Sequence, residues 1–247
     1  MAGALRLHRP RTPAGRGLSA GASRAAGAWR NALDAWAIPP HILEQAEESP
    51  WYFPVAAFAA KDAGQTLSHR RALDALPDGG TVLDIGIGGG AMSRPLRPTA
   101  GRVIGVDSQE SMLAGCGADE TVLGRWPDVA ASVEPVDVVV CGHVVYNVAD
   151  LDPFVRALGA AARGRVVVEL TDRHPLVEMA PLWRRFWDLD RPTGPKWRDF
   201  MDVVSEAGID AQAEERSSSG GGISFGDLDG LATFVRRRLC LRHPRSR

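Results

Sequence analysis

Short apolar runs alternate with amphipathic stretches through the middle of the chain. The apolar runs predict strands at Thr81–Ile85, Val103–Val106, Thr121–Leu123, Val136–Cys141 and Arg165–Leu170. Between them, helical spacing of apolar positions predicts helices from about Ala91, over Gln109–Ala114 and over Asp152–Ala162. This alternation predicts a doubly wound, mostly parallel α/β sheet of the Rossmann-like kind, which binds ligands at the carboxyl ends of its strands.

The regions that flank this alternation have a different pattern. Residues 1–28 are basic and rich in Pro, Gly and Ala, which predicts a flexible extension. Residues 29–78 are helical in pattern but interrupted by prolines, and they predict an N-terminal cap on a domain of residues 79–247. Four prolines and three large aromatic residues interrupt the pattern after the fifth strand, so a lid is predicted at about residues 171–195.

A glycine loop follows the first predicted strand of the sheet. Asp84 ends the apolar run, and Gly86, Gly88 and Gly90 come at every second position after it. Glycines let the backbone approach a ligand where a side chain would collide. The next apolar run ends on Asp107, a carboxylate that can accept hydrogen bonds from two ribose hydroxyls. Together these residues predict a nucleotide site.

Two cofactors are compatible with the glycine loop. Residues 86–91 fit the dinucleotide fingerprint, in which a pyrophosphate sits on a helix N-terminus. They also fit a loop for S-adenosylmethionine (SAM), which carries an ammonium and a sulfonium. A carboxylate at Asp84 repels a pyrophosphate and favours a cationic ligand, so we favour SAM over NAD.

Over residues 79–215 the chain resembles the class I SAM-dependent methyltransferases of the small-molecule type. The resemblance rests first on Val82–Gly90, which matches the family's motif I. It implies that the backbone of the glycine loop contacts the methionyl end of SAM and that Asp84 organises its amino group. It also implies that Asp107 binds the ribose hydroxyls and that Ser108 and Met112 flank the adenosine.

Two further positions follow from the resemblance. Many relatives have an Asp after the third strand that accepts from the adenine amine, and this chain has Arg125–Trp126 there instead. Trp126 is a candidate for stacking on the adenine, with a place in the core as the alternative. The fourth strand aligns with motif IV, whose tip, including Cys141, lies beside the SAM methyl group.

Candidate catalytic residues follow Cys141. His143 is the best of them, because a neutral imidazole can take a proton from a hydroxyl acceptor. A structural or SAM-contacting histidine is the alternative. Tyr146 is a candidate for orienting the acceptor, and a core aromatic is its alternative. The Asn/Asp-Pro-Pro-aromatic signature of methyltransferases that act on nucleic-acid base amines is absent, which disfavours that reaction.

Further side chains are candidates for the site. Glu169, Asp172 and His174 follow the fifth strand, but an ordinary polar loop is a better interpretation than a divalent metal site, and no metal is predicted. Trp183, Phe186 and Trp187 share one helical face. With Trp51 and Phe53 they are candidates for the roof of an apolar acceptor pocket; the alternative is ordinary packing.

The composition limits partners and compartment. The net charge is −1, no apolar run is long enough for a membrane span, and the three cysteines form no CxxC pair. We expect a cytoplasmic protein with no disulfides, no zinc and no membrane partner. The arginine-rich ends allow nucleic-acid binding or organelle targeting, but solvated tails are favoured and no nucleic-acid partner is expected. Oligomeric state is not predicted.

The resemblance fails at the end of the sheet. The family sheet normally finishes with an antiparallel strand, yet only Leu241–Arg247 follows the helix predicted from Asp227 to about Cys240. Either residues 223–225 form that strand or it is missing, which would expose a sheet edge.

The functional hypothesis is a SAM-dependent methyltransferase acting on a small molecule, at an oxygen. Two alternatives stay open. An NAD-dependent oxidoreductase would use the same loop, but neither Tyr52 nor Tyr146 is followed four residues later by a lysine. A non-catalytic protein that keeps the SAM-binding fold is the other.

Overall fold

A seven-stranded sheet forms the centre of the computed structural model, which describes residues 2–7, 23–55, 65–216 and 227–242. The strands are β1 Ala2–Leu7, β2 Gly80–Ile85, β3 Ala100–Asp107, β4 Glu120–Leu123, β5 Val136–Gly142, β6 Ala162–Thr171 and β7 Ala211–Arg216. Their spatial order is β4-β3-β2-β5-β6-β1-β7. The five strands from β2 to β6 pair in parallel, which confirms the predicted fold.

Eight α-helices accompany the sheet in the described ranges. They are α1 Arg24–Asp34, α2 Pro40–Leu43, α3 Leu67–Leu73, α4 Glu110–Leu113, α5 Leu151–Ala161, α6 Ala180–Trp187, α7 Trp197–Glu206 and α8 Leu228–Arg238. None of these helices has both the length and the apolar character that crossing a bilayer requires. The ends of several are fixed by side chains: Ser23 accepts from the Ala26 amide, and Asp227 accepts from the Gly230 amide.

The two faces of the sheet bury separate apolar clusters, because successive side chains in a strand point to opposite sides. Leu83 and Ile85 pack on the face covered by α1, α5 and α7, and Val82 packs on the opposite face with residues of α3. Trp29 of α1 anchors the first face. It is fully buried, stacks on Tyr146 with ring centroids 5.6 Å apart, and donates from Nε1 to the Val148 carbonyl.

The helix predicted from about Ala91 is wrong. The chain after the glycine loop forms turns and one short 3-10 helix, Arg94–Leu96. Pro95 and Pro98 explain the difference, because proline has no backbone N–H to donate and its ring clashes with the preceding helical turn. The cofactor loop therefore leads into a compact turn rather than into a long helix.

The predicted flexible extension is wrong at both of its described parts. Residues Ala2–Leu7 form β1, which pairs antiparallel with β6 on one side and with β7 on the other. Helix α1 then begins at Arg24, inside the predicted extension. The composition of residues 2–7 does not indicate a strand. The strand forms by pairing with residues more than 150 positions away in the chain.

The same strand resolves the question of the sheet's last element. An antiparallel strand is present and comes from the N-terminus of the chain; residues 223–225, the predicted candidates, lie outside the described ranges. Because β1 separates β6 from β7, the β6 edge is covered. On the neighbouring α3, Arg71 holds β7 by a two-fold contact: its Nε and Nη2 donate to Glu214 at 2.9 Å each.

Candidate functional site

The carboxyl ends of β2, β3, β5 and β6 meet at one edge of the sheet. In register, Asp84 of β2 lies beside Gly105 of β3 and Val140 of β5, and Gly142 of β5 lies beside Glu169 of β6. Parallel pairing therefore places Asp84, Asp107 and Glu169, and the loops that follow these strands, at the same edge of the sheet.

The turn after β2 requires glycine at two positions. Gly86 has a φ of 68°, and a Cβ there would lie 2.3 Å from Cγ2 of Val144. Gly90 has a φ of 78°, and a Cβ there would lie 2.4 Å from the Cys116 carbonyl oxygen. Both backbone angles are in the left-handed region that side chains disfavour. The turn thus packs tightly on Val144 and on the Cys116 carbonyl, and only glycine fits at these two positions.

Asp84 is a buried carboxylate with one free oxygen. Its side chain is 1% exposed and accepts hydrogen bonds from the hydroxyl and the amide of Ser93, while Oδ2 has no hydrogen-bond partner among the described residues. Burial raises the pKa of Asp84 to about 7, and the nearby charge of Asp107 acts in the same direction. An unpaired carboxylate oxygen at this position favours a cationic ligand group.

Asp107 is held in place by backbone amides on both of its oxygens. Oδ2 accepts from the Gly88 amide at 3.0 Å, and Oδ1 accepts from the Gln109 amide at 2.9 Å. Each carboxylate oxygen still has lone pairs for a further donor. The contact with Gly88 ties the glycine loop to the end of β3. Ser108 beside it is exposed, and Met112 is buried.

Two predicted ligand-contacting side chains lie in the core instead. Trp126 is 7% exposed and packs in the large cluster on the α5 face, with no partner for its Nε1–H among the described residues. Cys141 belongs to the same cluster, and its complete burial raises the pKa of the thiol. Alternation along β5 turns Cys141 toward that core face, so the sequence position at a strand tip did not make the side chain accessible.

His143 and Glu169 form a contact at the crevice. His143 follows β5 with a φ of 60°, and its amide donates to the Glu169 carbonyl at 2.7 Å. Its imidazole, in a side chain 43% exposed, places Nε2 3.4 Å from Oε1 of Glu169. Burial opposes ionisation of Glu169, but the hydrogen bonds of His143 and Ser68 and the charges of His143 and His69 lower its pKa to about 2.

The amino end of α3 joins this polar group, and the sequence analysis missed it. Thr66 and His69 form a reciprocal cap, in which the Thr66 amide donates to Nδ1 of His69 at 2.9 Å. Nε2 of His69 lies 3.0 Å from the Ala91 carbonyl, directly after the glycine loop. The Nδ1 contact makes Nε2 the protonated nitrogen. A Thr followed three residues later by a polar acceptor was the available sequence pattern.

Tyr146 is buried, and its hydroxyl already has a protein partner. Its ring is 4% exposed between Trp29 and His174, and its hydroxyl donates to the Thr171 carbonyl at 2.8 Å. Burial raises the pKa of this hydroxyl. Within the described residues no group of three His, Cys, Asp or Glu side chains is close enough to hold a metal. Glu169, Asp172 and His174 are therefore not brought together as ligands.

The five aromatic residues predicted to roof an acceptor pocket are divided. Trp183 is buried with α2 and the end of α8, and Nε1 of Trp187 donates to the Leu239 carbonyl at 2.6 Å. Phe186 and Trp51 are about half exposed. Phe53 contacts Arg238, with the guanidinium carbon 4.2 Å from the ring centroid. A common helical face did not give these rings a common environment.

A model of the family described as "Methyltransferase domain" matches residues 59–216, well over half of the chain. The chain belongs to the class I SAM-dependent methyltransferase family. The glycine loop, Asp84, Asp107 and the His143 contact all lie within the matched range. Enzymes of this family generally use SAM.

The chain is similar to a curated methyltransferase in sequence and to solved structures in fold. A ubiquinone biosynthesis O-methyltransferase of Methylobacterium sp. (strain 4-46) is 37% identical over 91 residues, which cover 34% of this chain and 36% of that protein. The chain therefore spans just over a third of that curated relative's length. The structure of a SAM-dependent methyltransferase from Archaeoglobus fulgidus is 19% identical with a TM-score of 0.43, covering 56% of this chain and 65% of that one. The YcgJ protein of Bacillus subtilis is 18% identical with a TM-score of 0.41, covering 57% and 67%.

Proposed function

We propose that this protein transfers a methyl group from SAM to an oxygen of a small-molecule acceptor. One observation carries the cofactor part: the Asp84 carboxylate, two residues before the glycine loop, is buried and has an oxygen with no partner in the described residues. Leaving a buried acceptor unsatisfied costs about 1–3 kcal/mol. An ammonium donor at this position would remove that cost and would also favour the ionised carboxylate.

Charge separates SAM from a dinucleotide at this loop. Two carboxylates, Asp84 and Asp107, lie next to the glycine loop, and the charge of Asp107 acts on Asp84. No arginine or lysine hydrogen-bonds to either of them in the described residues. A pyrophosphate would add negative charge to a negative site, whereas SAM carries an ammonium and a sulfonium against a single carboxylate and is cationic overall.

The remaining cofactor contacts follow from the loop geometry. Gly86 and Gly90 let the loop pack closely on Val144 and Cys116, and the Gly88 amide fixes the Asp107 carboxylate at the edge of the loop. Asp107 would accept the ribose hydroxyls with its remaining lone pairs. Exposed Ser108 and buried Met112 are the positions next to the adenosine. The core positions of Trp126 and Cys141 leave them no direct contact in this proposal.

His143 is the proposed base for the acceptor hydroxyl. Bound SAM supplies an activated methyl group, so the protein has to position the acceptor, exclude water and receive one proton. The imidazole of His143 is partly exposed at the crevice, and Glu169 holds it from the neighbouring strand. An ionised Glu169 stabilises the imidazolium that proton transfer forms. The name of the curated relative, an O-methyltransferase, supports an oxygen acceptor.

Calorimetry with S-adenosylhomocysteine (SAH) tests the cofactor site. Wild type should bind SAH, and Asp84→Asn should weaken binding by about tenfold or more, because a charged partner of the ammonium is lost while the side-chain shape is kept. Asp137→Asn is the matched control: this carboxylate accepts from the Thr81 amide at the opposite end of β2. Protection by NADH and not by SAH would instead support the oxidoreductase.

His143→Gln separates binding from transfer in the same preparation. SAH affinity should stay within about twofold, and SAH release with a panel of phenols should fall by about 10²-fold or more, in line with the loss of a general base. Unchanged turnover in the variant would contradict the assignment of His143. SAH binding by wild type without transfer to any phenol would favour the non-catalytic alternative.

A further inference from the structure

Three consecutive arginines close α8, and they differ in their partners. Arg236 contacts Glu47 and Glu48 at 3.7 and 3.6 Å, and Arg237 contacts Glu48 at 2.7 Å. Arg238 is the most buried of the three, at 5% exposure, and no carboxylate pairs with it in the described part of the chain. Charged side chains are almost never buried in proteins without a partner.

The free donors of Arg238 form one edge of its guanidinium. Nε and Nη2 are both buried and both lack a partner among the described residues. The same edge binds carboxylates elsewhere in this protein. Arg102 donates from Nε and Nη2 to the two oxygens of Glu120 at 2.8 and 2.5 Å, and Arg71 uses this edge on Glu214. Arg238 thus presents a two-donor fork that suits an oxyanion in its plane.

Aromatic rings surround the Arg238 guanidinium. Its central carbon lies 4.2 Å from the centroid of Phe53 and 5.0 Å from that of Phe234. Burial, and secondarily the charge of Arg237, lowers the pKa of Arg238 to about 10, so the group stays charged at neutral pH. The rings and the carbonyl end of α8 stabilise the charge in part. They satisfy neither Nε nor Nη2.

Arg238 is connected to the loop after β3 through its neighbour Phe53. The carbonyl of Phe53 accepts from Nε2 of Gln109, which follows Asp107 by two residues, at 3.1 Å. On the other side, the charges of Arg191 and Arg238 add to burial in lowering the pKa of His174 to about 4. The His174 ring meets that of Tyr146, which follows β5, at 5.6 Å. Arg238 is thus connected to the loop after β3 through Phe53, and its charge acts on His174, whose ring packs on Tyr146 after β5.

We propose that Arg238 binds a carboxylate on the methyl acceptor, which makes the acceptor class an apolar, ring-containing acid with a hydroxyl to methylate. This inference rests on the proposed function and names its substrate class. The aromatic rings at the site suit an apolar body, and the fork fixes its anionic end. The chain's only acidic side chain outside the described ranges is Asp62. The experiment therefore includes Asp62 as the alternative partner of Arg238.

Matched pairs of probes test the proposal by calorimetry. The probes are benzoate with benzamide and cinnamate with cinnamamide, each pair differing in charge and not in shape, added to protein saturated with SAH. At least one carboxylate should bind wild type about tenfold more tightly than its amide. Arg238→Met should abolish that preference, and Arg238→Lys should keep part of it. Arg102→Met, which removes the same kind of fork from a surface ion pair, should leave it unchanged.

The other outcomes overturn the proposal or part of it. A wild type with no carboxylate preference, or a folded Arg238→Met or Arg238→Lys variant with the full wild-type preference, contradicts it. If SAH competes with the carboxylates and Arg238→Met weakens SAH binding, the guanidinium belongs to the cofactor. If Asp62→Asn creates carboxylate binding that wild type lacks, Asp62 is the partner. SAH binding is measured first and separately, so failure of the proposed function is recognised on its own.

Discussion

The two sides of the crevice are built in different ways. The cofactor side comes from one continuous stretch, β2 through Asp107, in which the glycine loop, Asp84 and Asp107 are at most 24 residues apart. The proposed acceptor side joins distant parts of the chain: Trp36 stacks on His174 before α6, and Phe53 lies against Arg238 at the end of α8. Local motifs therefore describe the first side, and long-range packing creates the second.

This difference explains where sequence patterns were informative. A motif can be recognised when its parts are neighbours in the chain, because strand, turn and loop constrain each other locally. Arg238 belongs to a basic stretch that looks like a solvated tail, yet it is more buried than Arg236 or Arg237. The ring that covers its guanidinium belongs to Phe53, 185 positions earlier in the chain.

Removal of residues 1–7, which deletes the long-range strand β1, should lower the free energy of unfolding more than any other change proposed for this protein. Without β1, both β6 and β7 lose a partner strand. At about 1 kcal/mol for each backbone hydrogen bond, the loss is on the order of 5 kcal/mol or more. Urea denaturation should show a reduced free energy of unfolding, and a synthetic peptide of residues 1–8 should restore part of it. A truncated protein as stable as the full chain would show that the sheet does not depend on β1.

Asp84→Asn should change the pH dependence of stability. The folded pKa of Asp84, about 7, is above the usual 3.8, so ionisation costs stability as the pH rises from about 4 to 7. The full cost is roughly 4 kcal/mol. The variant lacks this cost, and its unfolding free energy should rise relative to wild type by that order between pH 4 and 8. The free energies of unfolding are measured by urea denaturation at each pH, and the same pH dependence in both proteins would contradict the raised pKa of Asp84. Asp137→Asn is the control and should follow wild type.

Gly90→Ala gives the smallest of these effects and the most local one. The added methyl meets the Cys116 carbonyl at 2.4 Å in a left-handed backbone, so we expect a loss of about 1–3 kcal/mol and weaker SAH binding. Gly159 in α5 is the control, because a Cβ there meets nothing within 4 Å. Thermal denaturation should show Gly159→Ala to be more stable than wild type by about 0.5–1 kcal/mol. Equal losses at both positions would mean that the loop geometry is not the cause.

The sequence by itself determined the parallel core of the sheet and the cofactor loop. Apolar runs placed β2 to β6, and glycine spacing with Asp84 and Asp107 placed the site at their carboxyl ends. It also indicated His143 through its position after β5. Each of these follows from local rules of strand burial, turn conformation and charge, which act over a few residues.

Only the tertiary structure decided which side chains are accessible and which distant segments meet. It put Cys141, Trp126 and Tyr146 into the core, although each stood near a strand end. It also gave β1 a place between β6 and β7, and Glu169 a place beside His143. Pairing and burial depend on contacts between residues far apart in the chain, and no window of sequence contains both partners of such a contact.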